Sequence, residues 1–166
     1  MILVTLGTNE QPFDRLVRAV AQLEVDEPLL VQHGSSREPH GRGEWVDFMS
    51  FDELADAMRR ASVVVSHAGV GSIMLARRCG KRPVVVPRRR ALGEAVDDHQ
   101  LHLARRLERL GVVSVVDETS ELAAAIAAAR SCLPAQGAGA GGSTAHDQPL
   151  VADVRGYLFQ AIRAAR

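Results

Sequence analysis

Residues 63–100 read VVVSHAGVGSIMLARRCGKRPVVVPRRRALGEAVDDHQ. The run Val63-Val64-Val65 enters the glycine turn Ser66-His67-Ala68-Gly69-Val70-Gly71-Ser72, and a helical pattern then runs to Cys79 and Gly80. A second β-branched run, Val84-Val85-Val86, stops at Pro87 and opens a loop that ends in Asp97-Asp98-His99-Gln100. Both strands are apolar without alternation, which means burial on both faces, as in a parallel sheet covered by helices. Glycines at a strand-to-helix turn let backbone N–H groups approach a ligand closely, and the helix N-terminus behind them favours negative charge. The stretch therefore carries the physics of a phosphate cradle.

The same alternation extends in both directions. Strands are expected at 2–6, 29–32, 45–48, 62–66, 83–86 and 112–116, and helices at 13–23, 51–60, 72–79, 98–110 and 120–130. Ser50 and Glu53 stand in capping-box spacing before the second helix, while Gly80 and Gly111 close the third and fourth. The expected fold is α/β: a single Rossmann-like domain over residues 1–133 with a parallel sheet of about six strands. Residues 134–149, rich in Gly, Ala, Ser and Thr, read as a flexible linker or loop. Residues 150–166 place Val151, Val154, Leu158 and Ile162 at helical spacing, an amphipathic helix that docks on this domain or on a partner.

Composition bounds the function. With 166 residues, 46% of them apolar, the chain can build one core. Basic and acidic residues balance at 20 each, so no global positive field argues for nucleic acid or for unaided attraction to anionic lipid. Lys81 is the only lysine, and the excess of arginine reads as coding bias. Cys79 and Cys132 stand far apart with no metal-type His/Cys cluster, as free thiols of a reducing compartment do. No signal peptide or membrane-spanning run is visible, so a cytoplasmic location is expected.

Candidate ligand groups follow each strand in turn: Gly7-Thr8-Asn9, Gln32-His33-Gly34-Ser35-Ser36, Phe48-Met49-Ser50, His67 to Ser72, and Arg88 to Gln100. In a doubly wound sheet these segments converge beyond the carboxyl ends of the strands, where ligands bind. His67 fits a group that orients a reacting atom or contacts phosphate, and equally one that satisfies its own turn. In Arg88-Arg89-Arg90 one fork is expected on a phosphate, against the alternative of a solvated face. Asp98 reads as a helix cap rather than a general base. The Walker loop, the dinucleotide fingerprint and the nucleophile elbow all fail on spacing.

The segments Met1-Ile2-Leu3-Val4-Thr5-Leu6-Gly7-Thr8, Ser66 to Ile73, Gly80-Lys81-Arg82-Pro83-Val84-Val85-Val86-Pro87 and Asp97-Asp98-His99-Gln100 resemble, in this order, the C-terminal, donor-binding domain of family 28 glycosyltransferases. The resemblance covers about residues 1–130 and implies the C-terminal half of a two-domain, GT-B type enzyme. Within the family it resembles the stand-alone donor subunits of split transferases, both the eukaryotic UDP-N-acetylglucosamine transferase kind acting on lipid-linked oligosaccharide and the bacterial exopolysaccharide glucuronosyltransferase kind. The Pro87–Gln100 loop favours the bacterial one. It implies that Gly7, Thr8, His67, Gly69, Gly71, Ser72 and Arg88 face a donor diphosphate. The backbone around Phe48 and Met49 would read uracil, and Glu94, His99 and Gln100 would hold the sugar side. One departure stands out: Leu75 occupies the place where many relatives carry an acidic ribose contact, for which Glu94 is the substitute.

Function follows from that resemblance. The chain would bind a UDP-sugar, need no metal, and move the sugar with inversion to a lipid-linked acceptor. That acceptor would sit on a membrane-associated partner subunit, which recruits the chain to the inner face of the membrane. The catalytic base is not assigned to this chain, His67 being its weak candidate. Isolated from its partner, the chain is expected to self-associate. The second reading is a non-catalytic nucleotide-sugar-binding or assembly subunit.

Overall fold

Short apolar runs become six strands in one all-parallel sheet of order β3-β2-β1-β4-β5-β6. They are β1 (Ile2–Thr5), β2 (Leu29–Gln32), β3 (Glu44–Val46), β4 (Val63–His67), β5 (Val84–Val86) and β6 (Ser114–Val115). The computed structural model describes residues 1–37 and 41–131. The linker expected at 134–149, the helix expected at 150–166 and Cys132 lie outside the described residues. Helices α1 (Asp14–Ala21), α2 (Phe51–Arg60), α3 (Val70–Arg78), α4 (His99–Arg109) and α5 (Leu122–Ser131) complete the domain.

Strand periodicity builds two cores. Ile2 and Val4 of β1, Val63 and Val65 of β4, and Val84 and Val86 of β5 pack against α1 and α5 through Phe13, Leu16, Val17, Leu122 and Ile126. Leu3, Leu30 and Val64 turn to the opposite face, against Ala55 and Met58 of α2 and Leu75 and Ala76 of α3. The chain order reverses direction between β1 and β4, which pair in register from Ile2 opposite Val63 to Thr5 opposite Ser66. That switch point leaves a crevice at the carboxyl ends of β1 and β4.

The expected capping box forms. Ser50 Oγ accepts from Glu53 N at 3.3 Å, and Ser50 N donates to Glu53 Oε2 at 2.8 Å. β3 begins and ends earlier than expected because its ladder with β2 runs only from Leu30–Glu44 to Gln32–Val46, and there β2 itself ends. The helix after the glycine turn starts at Val70 rather than Ser72, since Gly69 adopts the extended N-cap conformation and Gly71 already lies in the first turn. Asp98 corrects the capping expectation: its carboxylate accepts from Arg90 N at 3.1 Å and makes no cap hydrogen bond. Asp97 does that work, accepting from His99 N at 3.0 Å two residues on, as an Asx turn does.

Replacing Ser50 by Ala removes the reciprocal cap of α2. The expected cost is about 1 kcal/mol of unfolding free energy, read from denaturant melts.

Candidate functional site

Each central strand closes on a polar residue. Thr5, Gln32 and Ser66 are buried at the carboxyl edge of an otherwise apolar sheet. The Gln32 amide is the clamp of this edge: Oε1 accepts from Thr5 Oγ1 at 2.6 Å and from Gly7 N at 3.3 Å, while Nε2 donates to Gly7 O at 3.0 Å and to Asp47 O at 3.1 Å. Gly7 is thereby fixed from both sides, at a φ of 75° that favours glycine.

The His67 ring is wedged between two turns. A Cβ on Gly7 would lie 2.4 Å from His67 Cε1, and one on Gly69 would lie 2.1 Å from His67 Nε2. Both glycines are therefore required by the imidazole. Gly71 is different, because a Cβ there would meet nothing within 4 Å. Its open space belongs to a cleft of about 360 Å³ at the switch point. Gly7 and Thr8 line this cleft from the β1 side, and His67, Gly69, Gly71, Ser72 and Leu75 from β4 and α3. Met49, Phe51 and Leu54 form its apolar wall.

The first turn of α3 has no side-chain cap and no acidic residue. Its leading N–H groups have no intrahelical partner, and they carry the positive end of the helix dipole into the cleft. A cradle of backbone donors beside an apolar wall suits a ligand with an anionic part and a flat, weakly polar part.

Burial pushes the His67 imidazole down to about 4, with the nearby Arg88 charge acting in the same direction and the contact to Thr5 opposing. Nδ1 lies 3.5 Å from Thr5 O, and since a carbonyl only accepts, the contact favours the proton on Nδ1. His67 is thus neutral at neutral pH, and an imidazole of such low basicity is a poor general base there.

Not every expected residue reaches the cleft. Met49 lines it, whereas Phe48 does not and is 59% exposed. Arg88, expected on a diphosphate, is only 1% exposed. Its guanidinium donates to the carbonyls of Gln11, Pro12, Glu94 and Leu6 and lies 4.6 Å over the Phe13 ring, so the fork is spent on the chain itself. Glu94, expected on the sugar side, is equally engaged: Arg15 grips both its oxygens at 2.9 and 3.0 Å, and Arg89 N donates to Oε2 at 3.0 Å. His99 pairs with Asp97 at 2.7 Å, and Gln100 Oε1 accepts from Arg88 N at 3.4 Å. These two stand on the same sheet edge beyond β5, outside the cleft wall.

Sequence reasoning placed Gln32 among the candidate ligand groups but missed Thr5, Phe51 and Leu54 as site residues. For Thr5 the available signal was a single polar residue ending a buried apolar strand, as in Ile2-Leu3-Val4-Thr5.

Residues 1–138 match the glycosyltransferase family 28 C-terminal domain. The chain belongs to this family. A relative is the UDP-N-acetylglucosamine transferase subunit ALG13 of Yarrowia lipolytica, 34% identical over 138 residues, an alignment covering 74% of this chain and 67% of the relative. The like-named subunit of Eremothecium gossypii is 44% identical over 68 residues, 40% of this chain and 32% of its own. Among solved structures, the calicheamicin glycosyltransferase CalG4 superposes with a TM-score of 0.61 at 20% identity, and the kitacinnamycin glycosyltransferase with 0.57 at 23%. Each match covers 79% of this chain and 34% of the solved chain. The likeness to these structures is one of fold: the single α/β domain with its six parallel strands is shared with part of each glycosyltransferase.

Stability should follow His67 in acid. The unfolded imidazole protonates near 6.5 and the folded one near 4, so the unfolded chain takes up the proton first. Stability is full above about pH 6.5, falls as pH drops, and levels near pH 4 after a loss of roughly 3 kcal/mol. Melts across this window should be steeper for wild type than for His67→Gln.

Proposed function

We propose that this chain is the donor-binding subunit of an inverting glycosyltransferase. It holds a UDP-sugar whose sugar is moved to a lipid-linked acceptor carried by a membrane-associated partner subunit. The carrying observation is the uncapped start of α3 opening beside Gly71 into a cleft with an apolar wall. The name of the Yarrowia relative, a UDP-N-acetylglucosamine transferase subunit, supports the nucleotide-sugar class and the subunit role.

In this reading the donor diphosphate sits on the N–H groups of Gly71 and Ser72 and against Gly7 and Thr8. The uracil lies along Met49 and Phe51, with the backbone near Phe48 reading its edge. His99 and Gln100, at the start of α4, face the sugar hydroxyls. The acceptor oxygen attacks the anomeric carbon from the face opposite the phosphate, and the bond from that carbon to the phosphate oxygen breaks. UDP leaves with the bonding electrons, and the acceptor proton passes to a base on the partner. Charge growing on the leaving phosphate is met by the α3 dipole and its N–H donors, so this half of the reaction calls on no metal of its own.

The relatives' names favour N-acetylglucosamine as the sugar. An exopolysaccharide product and a glucuronate donor rest on the sequence resemblance alone. Among the described residues no helix is long and apolar enough to cross a membrane, and the reading leaves recruitment to the cytoplasmic face of the membrane to the partner. The second reading, a non-catalytic nucleotide-sugar-binding or assembly subunit, draws on Leu75 and on Glu94: the first is apolar and the second is held by Arg15 and Arg89.

Calorimetry separates the possibilities. The chain should bind UDP and UDP-sugar but not a dinucleotide, with little transfer in the absence of its partner. Gly71→Val places its side chain in open space, so it should melt like wild type. Its branched side chain, standing in the cleft, should keep the diphosphate off the α3 N–H groups and weaken UDP binding by about 10- to 100-fold. Unchanged affinity in a folded Gly71→Val variant would remove the cradle from the site.

A further inference from the structure

The chain is electrically neutral overall, yet its charge is sorted in space. In a parallel sheet the crossover helices run antiparallel to the strands, so the C-termini of α2, α3 and α4 all reach the amino edge of β4, β5 and β6. The last turn of α2 carries Arg59 and Arg60, that of α3 carries Arg77 and Arg78, and that of α4 carries Arg106 and Arg109. Lys81 and Arg82, in the link to β5, stand between them. Lys81 Nζ donates to Ala61 O at 2.6 Å beside the end of α2, and Arg82 Nη2 donates to Val113 O at 3.2 Å beside the entry to β6. The basic residues are therefore contiguous across three helix ends.

Some of the carboxylates in these turns are paired with arginines. Asp56 pairs with Arg59, and Glu108 pairs with Arg105. Of the acidic residues before β2, Glu24 and Asp26 belong to the other half of this edge, whereas Glu27 accepts from Ser62 Oγ at the entry to β4 and pairs with Arg130 at 2.9 Å. Cations in a helix's last turn complement its dipole, which gives a structural reason for the arginines. Lys81 likewise satisfies the Ala61 carbonyl at the C-cap of α2, but the dipole gives no reason for Arg82, which lies outside any helix, nor for Leu110, which is 55% exposed directly after α4.

We propose that this edge is a contact surface for anionic lipid headgroups, with the cationic side chains on the phosphates and Leu110 entering the boundary of the acyl region. Charge complementarity with a broad anionic plane, together with an exposed leucine among the cations, favours a bilayer over nucleic acid, which offers phosphates but no apolar phase. The surface lies at the opposite edge of the sheet from the cleft, so contact there leaves the cleft unobstructed. The chain thus carries its own membrane contact beside whatever a partner supplies. This inference does not depend on what the cleft binds.

Vesicle co-sedimentation of the full chain tests it, with mixed phosphatidylglycerol–phosphatidylcholine vesicles, pure phosphatidylcholine vesicles and duplex DNA as the three arms. Wild type should bind the anionic vesicles, lose them as salt rises, and ignore phosphatidylcholine. The triple variant Arg60→Gln, Arg78→Gln, Arg109→Gln should bind anionic vesicles on the order of 100-fold more weakly. Leu110→Ser should bind more weakly while keeping the salt dependence. Arg78→Gln alone keeps the test readable should the triple variant unfold, and UDP affinity should be the same in every folded variant. Equal vesicle binding by wild type and variants, no binding by wild type, or duplex DNA binding as tight as vesicle binding would each overturn the proposal.

Discussion

The buried Arg88 guanidinium is the tie on which the carboxyl edge depends. Taking a cation out of water is costly unless its N–H groups are satisfied, and here four carbonyls from the β1 loop and the β5 loop receive Nη1 and Nη2, while Nε has no partner among the described residues. Burial pulls its pKa below the ordinary guanidinium value, with Glu94 opposing. Phe13 closes one face of the fork through its π cloud, and the same ring anchors α1 in the core. Leu6 O is among the acceptors, so the loop that begins at Gly7 hangs directly on this cation. Arg15 extends the tie by gripping Glu94 and the carbonyls of Pro87 and Asp117, which joins the loops after β5 and β6.

The cleft is built by exclusion as much as by attraction. His67 occupies the volume where Cβ atoms of Gly7 and Gly69 would stand, and Gln32 holds the Gly7 peptide from both its donor and its acceptor side. The backbone N–H groups of α3 are therefore presented on a frame whose side chains are already spoken for. Arg88 adds positive potential next to this frame without offering a hydrogen bond to it, and it is one reason that His67 stays neutral. A frame of this kind presents preset dipoles, which need little reorganisation to meet an anion.

The two edges of the sheet have opposite chemistry for one topological reason. Because every strand is parallel, each crossover helix starts at the carboxyl edge and ends at the amino edge. At the first edge the uncapped start of α3 opens into the cleft. The second collects arginines, whose charge complements the C-terminal dipoles and is displayed outward. Overall neutrality in composition conceals this clustering of arginines at the helix ends.

Local signals were legible in the sequence. The span of β2, the span of α2 with its Ser50–Glu53 box, and the glycine turn before α3 all rest on residues within a few positions of one another. Convergence of Gly7, Thr8, Met49 and the His67–Ser72 turn on one cleft was legible too, since the strand order of a doubly wound sheet dictates it. The destinations of Arg88 and Glu94 were not. Arg88 meets Leu6 across 82 positions and Glu94 meets Arg15 across 79, and a charged side chain in a loop has the same sequence signature whether it faces ligand, water or a buried carbonyl. The sequence by itself determined the alternation, the parallel sheet and the place of the cleft, because periodicity and turn chemistry are local. Only the tertiary structure decided which polar groups were free to meet a ligand, because satisfying buried carbonyls and pairing charges is settled by contacts that form when distant loops close on one another.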